Sequence, residues 1–139
     1  MFLLDTNVVS ELRRLGTPKA DAQFQRWADD VDLDRCFISV LTVMEIERGL
    51  MAKEAKDEAQ GRALRAWFEQ KVLGEFQGRI LSVELSDARL CAALHLPHIR
   101  PENDTLLAAT AKRAGLTVAT RNSKDFSGLG VPYVNPWVA

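Results

Sequence analysis

The chain opens MFLLDTN, residues 1–7, and the fold turns on how that stretch is read. Phe2, Leu3 and Leu4 make an apolar run of the kind that becomes a buried strand. The run ends on Asp5. An ionised Asp is costly to bury unless something pairs with it. Asp5 therefore either turns the chain and starts a helix, or stands at the mouth of a site for the sake of its charge.

The rest of the chain supplies the context. CFISV (36–40), RILSV (79–83), LTVAT (116–120) and VPYVN (131–135) read as further strands. Between them lie helical segments: Thr6 to Arg14, Lys19 to Asp30, Thr42 to Met51, a long stretch KDEAQGRALRAWFEQKVLGEF (56–76), Ser86 to His98 with Pro97 at its end, and NDTLLAATAKRAG (103–115) with Gly115 as C-cap. Strands alternating with helices predict an α/β fold with a mainly parallel sheet. With 139 residues and no linker, repeat or low-complexity tract, a single domain, 1–139, is expected.

Composition narrows the function classes. Apolar residues make up 47% and charged residues 27%, as in ordinary globular proteins. The net charge of −1 gives no electrostatic footprint for nucleic acid. No apolar run approaches the length of a membrane span, and no basic n-region with a small-residue cleavage site precedes the first strand, so neither a span nor a signal peptide is expected. Cys36 and Cys91 read as free thiols in a reducing cytoplasm. His95 and His98 are the only histidines, too few for a His/Cys zinc site, and read as helix-end or surface residues.

In open α/β sheets, sites form beyond the carboxyl ends of the strands. Asp5 lies at such an end, and Asn122 and Asp125 follow another. Glu45 in TVMEIERG and Asp104 in PENDTLLAATA each begin a helix. Each acid has an explanation without chemistry. Thr42 and Glu45 have capping-box spacing. Asp104 suits a first helical turn, and Asp125 could brace its loop as an Asx-turn. Taken together, Asp5, Glu45 and Asp104 can converge on one spot. Clustered carboxylates raise one another's pKa unless a cation neutralises them. An oxygen-rich site without His or Cys favours Mg²⁺ or Mn²⁺.

LLDTNVVSE, SVLTVMEIERGL, PENDTLLAATAKRAGLTVATRNSKDFSGLGV and the closing NPW together resemble a PIN domain, and more narrowly the VapC-type toxin ribonucleases of bacterial toxin–antitoxin pairs. The resemblance covers nearly the whole chain. It implies an α/β/α sandwich and a Mg²⁺- or Mn²⁺-dependent endoribonuclease that leaves 5′-phosphate and 3′-hydroxyl ends. It implies an acidic pocket at Asp5, Glu45 and Asp104, with a fourth position at Asn122 or Asp125, and with Thr6 and Thr120 close enough to hydrogen-bond the carboxylates. It also implies a homodimer inhibited by a VapB-type antitoxin in a higher hetero-oligomer. Arg13, Arg14, Arg48, Lys112, Arg113, Arg121 and Lys124 are candidate phosphate contacts, although most of them read as solvated surface charge. Two other functions fit the same acids: a non-catalytic socket for a basic partner peptide, and a metal-dependent DNA nuclease. Adjacent Trp67 and Phe68 point about 100° apart on a helix, so one of them is expected on an exposed apolar patch that marks an interface.

Overall fold

The computed structural model describes residues 1–139. Strand β1 (Phe2–Leu4) pairs in parallel with β4 (Thr117–Ala119), and β4 pairs in parallel with β5 (Tyr133–Val134). Strand β2 (Ile38–Ser39) pairs in parallel with β3 (Ile80–Leu81). A parallel bridge from Leu3 to Phe37 joins the two sets. There the Leu4 N–H donates to the Phe37 carbonyl at 2.8 Å and the Phe37 N–H to the Phe2 carbonyl at 2.9 Å. The combined strand order is β3-β2-β1-β4-β5, with β1 in the centre.

Successive strand residues point to opposite faces of a sheet. Leu3 and Leu4 are both fully buried, so both faces of β1 are covered. Leu4 packs with Val8, Val9, Phe24, Ile46 and Phe68. Leu3 packs on the other side with Leu107, Ala108, Ala111, Val118 and Phe126. Helices α1 (Thr6–Leu12), α2 (Ala22–Asp30), α3 (Val40–Lys56) and α4 (Glu58–Trp67) supply residues to the first core. Helix α6 (Glu102–Ala114) supplies the second and packs with α5 (Leu85–Leu94). This is the expected α/β/α sandwich, and every observed strand pair is parallel.

Several boundaries move, for local reasons. Helix α3 begins at Val40, which the β-branched run CFISV had assigned to a strand. Ser39 is the N-cap, its Oγ accepting from the Leu41 N–H at 3.0 Å. The expected Thr42–Glu45 capping box is therefore absent. Thr42 lies inside the helix, with its buried hydroxyl unpartnered. The long 56–76 helix is broken at its start by Asp57, which ends α3 and caps α4 by accepting from the Gln60 N–H at 3.1 Å. It then widens into a π-helical turn, Phe68–Leu73. Helix α5 stops at Leu94, ahead of a cis Leu96–Pro97 bond, and His95 forms its C-cap. Gly115 ends α6 in the left-handed conformation, φ 69°, as expected of a C-cap glycine.

Trp67 and Phe68 diverge, and the expected patch takes the form of a groove. Phe68 is buried and Trp67 is half-buried under the Arg13 guanidinium, 5.4 Å from the ring centroid. Trp67 borders an apolar groove and does not stand on a flat exposed patch. The exposed apolar side chains of α3 are instead Val40, Met44 and Met51, at 42%, 39% and 58%.

Candidate acidic site at the carboxyl edge of the sheet

Asp5 follows β1 directly, and its N–H donates to the Ala119 carbonyl at 2.9 Å. The parallel register places Leu4 beside Ala119, so Asp5 and Thr120 leave the sheet side by side. The Thr120 hydroxyl donates to Asp5 Oδ2 at 2.7 Å, while the Thr6 N–H donates to Oδ1 at 2.8 Å. Asp5 is thus both the N-cap of α1 and a strand-end carboxylate, and the two possibilities raised by MFLLDTN coexist. The residue is buried, at 5% exposure. Burial pushes its pKa up, against the lowering effect of hydrogen bonds from Thr120, Thr6 and Asn7.

Glu45 reaches the same edge from the second turn of α3. Its Oε1 accepts from the Thr6 hydroxyl at 3.1 Å, so the side chain faces α1 and not its own helix start. Burial raises its pKa, and Asp5 adds to the rise. Asp104 projects from the first turn of α6. Its pKa is pushed up to about 7, first by burial and then by the neighbouring carboxyls of Asp5, Asp125 and Glu45. The four predicted acids are thus neighbours at the carboxyl edge of the sheet, Asp104 lying near Asp5, Asp125 and Glu45, and Glu45 reaching Asp5 across Thr6.

Asp125 therefore turns toward Asp104 and does not brace its loop through an Asx-turn. Asn122 is exposed and enters the site through its backbone, the N–H donating to Thr120 Oγ1 at 3.0 Å. Thr6 and Thr120 bond the carboxylates as expected. Asn7 is a brace not singled out from the sequence. Its Nδ2 approaches Asp5 Oδ2 at 3.4 Å and its Oδ1 accepts from the Arg121 N–H at 3.1 Å. Its place behind Asp5 in DTN was the available signal. One candidate phosphate contact is withdrawn: Arg113 is engaged by the buried Asp87 at 2.8 Å and ties α6 to α5.

The pocket suits a hard cation by its donor set. It offers carboxylate oxygens and hydroxyls, and neither Lys nor Arg forms an ion pair with any of the four acids. No three acidic side chains stand at ligating spacing for one ion. Mg²⁺ is commonly held by one or two carboxylates, with water and substrate phosphate completing its shell. The residues present fit that mode.

Beside Glu45 a cleft of about 210 Å³ runs between α1, α3 and α4, lined among others by Thr6, Ser10, Arg13, Gly49 and Trp67. Arg13 and Trp67 also border an apolar groove of about 270 Å³, with Val9, Leu12, Leu15 and Phe76.

Acids gathered where a parallel sheet ends, with helices on both faces, stand where open α/β sheets place their ligand sites. The PIN domain family model matches residues 2–131, and the chain belongs to the PIN-domain family. It is 34% identical to Toxin FitB of Neisseria gonorrhoeae over 99% of both chains. It is 32% identical to VapC ribonuclease Y4jK of Sinorhizobium fredii, over 99% of this chain and 98% of that one. The crystal structure of FitAcB from Neisseria gonorrhoeae superposes with a TM-score of 0.88 at 33% identity over the full length of both chains.

Proposed function

We propose that this protein is the toxin of a toxin–antitoxin pair and acts as a metal-dependent endoribonuclease. The observation that carries the proposal is the gathering of carboxylates at the carboxyl edge of the sheet: Asp5 and Glu45 both bonded by Thr6, Asp5 also by Thr120, with Asp104 and Asp125 beside them. Full-length similarity to a FitB toxin and a VapC ribonuclease supports the choice of RNA over DNA. It also favours turnover over a purely passive socket.

Asp5, Asp104 and Glu45 would hold Mg²⁺ or Mn²⁺, with Asp125 adding charge beside Asp104. When bound, such a cation activates water and stabilises charge on the phosphate and the leaving oxygen. Thr120 and Thr6 fix the orientation of Asp5 and Glu45 through their hydroxyls. The raised pKa of Asp104 lets that carboxyl carry a proton near neutrality until positive charge displaces it.

A toxin needs a restraint. The apolar groove beside Trp67 is a fitting seat for an antitoxin segment, with a basic side chain extended toward the acids. The outward face of α3, with Val40, Met44 and Met51, is the candidate homodimer contact.

The deciding experiment incubates the purified chain with RNA and with single-stranded DNA of the same sequence, in Mg²⁺, in Mn²⁺ and in EDTA. RNA cleavage that EDTA abolishes and Mg²⁺ or Mn²⁺ restores is expected. Full activity in EDTA would defeat the mechanism, and equal cleavage of DNA would defeat the substrate assignment. End-sequencing of cellular RNA after expression without the partner identifies the target.

A further inference from the structure

Beyond the acids, a second pocket of about 630 Å³ lies between the end of α1 and the α3–α4 pair. Its lining carries Arg13, Arg14, Lys19 and Lys53, four cations, and no carboxylate. Arg14 is partly engaged by Glu11 at 3.3 Å. Arg13, Lys19 and Lys53 form no ion pair and are exposed. A concentration of unneutralised positive charge on a protein of net charge −1 calls for an anionic occupant.

The pocket adjoins the cleft beside Glu45. Arg13 and Leu64 line both this pocket and the cleft that ends at Thr6 and Glu45. Glu45 and Lys53 lie on the same helix, eight residues or ~12 Å apart at 1.5 Å per residue. At the ~3.4 Å rise of a stacked strand, roughly three to four nucleotides cover that span. The Arg13 guanidinium, 5.4 Å from the Trp67 ring centroid, lines both pocket and cleft.

Resting on the nuclease reading, we propose that Arg13, Arg14, Lys19 and Lys53 form a phosphate-binding subsite that holds the RNA strand a few nucleotides from the scissile bond. The carboxylates repel a polyanion, and the subsite supplies the attraction that keeps the strand in the cleft. An acidic segment of a partner protein is the competing occupant. RNA is favoured because the pocket shares Arg13 and Leu64 with the cleft that reaches Glu45.

The test compares wild type with the Lys19→Gln/Lys53→Gln double variant, which leaves the acids, Arg13 and Trp67 intact. Affinity for a 2′-O-methylated, uncleavable RNA oligonucleotide is measured against salt. Each lost phosphate contact lowers the slope of log K against log salt by about 0.7 for a single strand, so the pair should lower it by about 1.4 and weaken binding roughly tenfold at 0.15 M salt. KM for long RNA should rise with kcat unchanged, and cleavage of an oligonucleotide too short to reach the subsite should stay at the wild-type rate. An unchanged slope and unchanged KM overturn the proposal. So does weakened antitoxin binding with RNA binding intact, which assigns the pocket to the partner. Failure of the nuclease reading shows separately, as absence of RNA cleavage by wild type.

Discussion

The Thr120 hydroxyl donates to Asp5 Oδ2 at 2.7 Å, so residues 115 positions apart in the chain share one buried hydrogen bond where β1 and β4 end. It opposes the burial that otherwise disfavours the charged form of Asp5. Thr120→Val keeps the shape and removes the donor. The pKa of Asp5 should climb further, and the acid limb of the cleavage pH profile should move to higher pH. Stability at neutral pH should fall by about 1.5–3 kcal/mol, the range for a hydrogen bond to a charged group. A pH–rate profile and a urea titration read both effects, and an unmoved acid limb would show that Asp5 ionisation does not govern the rate.

Asp104 makes metal-free stability depend on pH in an unusual direction. Its folded pKa of about 7 lies above the ordinary 3.8, so the folded state binds the extra proton between those values. Its contribution is intact below about pH 4 and is lost as pH rises toward 7. In EDTA, Asp104→Asn should remove that loss and gain on the order of 1–2 kcal/mol at pH 7.5, after discounting for solvent screening. Thermal melts at pH 5 and 7.5 check the sign. A variant less stable than wild type at pH 7.5 would point to a capping role for the carboxylate.

Asp125 and Asn122 separate in a metal titration. Asp125 supplies charge to Asp104, whereas Asn122 contributes a backbone N–H. Asp125→Asn should weaken Mn²⁺ binding measured by calorimetry, and Asn122→Ala should leave it near wild type with the fold intact. The opposite ranking would make Asn122 the fourth ligand.

Gly61 tests the helix pair beside the cleft. A Cβ there would stand 2.7 Å from the Glu54 Cα, so α4 could not keep its approach to α3. Alanine normally favours a helix over glycine by about 1 kcal/mol. Here Gly61→Ala should instead destabilise, by roughly 1–3 kcal/mol from overpacking. It should also loosen Arg65 from Glu47 and Glu54, now bonded at 2.7 and 2.9 Å. Urea denaturation decides, and a stabilised variant would refute the close approach.

Much of this was legible in the sequence because the strands are short apolar runs ending in chemistry-bearing residues. Asp5, Glu45, Asp104 and Asp125 were picked out by position at element ends, and the structure brings their carboxyls together. What pattern could not show was direction. Thr42 and Glu45 have capping spacing, but Ser39 captures the helix start, which frees Glu45 for Thr6. Lys53 to Lys56 are good helix formers that run into more of the same, so only the Asp57 side chain marks the break between α3 and α4. The angle between Trp67 and Phe68 predicted exposure for one of them. The fold buries Phe68 and lays Arg13 over the face of Trp67, arrangements that depend on distant chain.

The central position of β1 carries a consequence for synthesis. The first strand to leave the ribosome is hydrogen-bonded on one side by β4, whose residues emerge more than a hundred positions later. Until that strand and the loop behind it are free, Asp5 lacks Thr120, and Asp104 lacks Asp125. Long-range parallel pairing forms late because the loop must close before the contact is made. A chain still being translated therefore cannot assemble the cutting site, and a product truncated after residue 114 should be inert. The acidic cluster is complete only once β4 and the loop that carries Asp125 have been made.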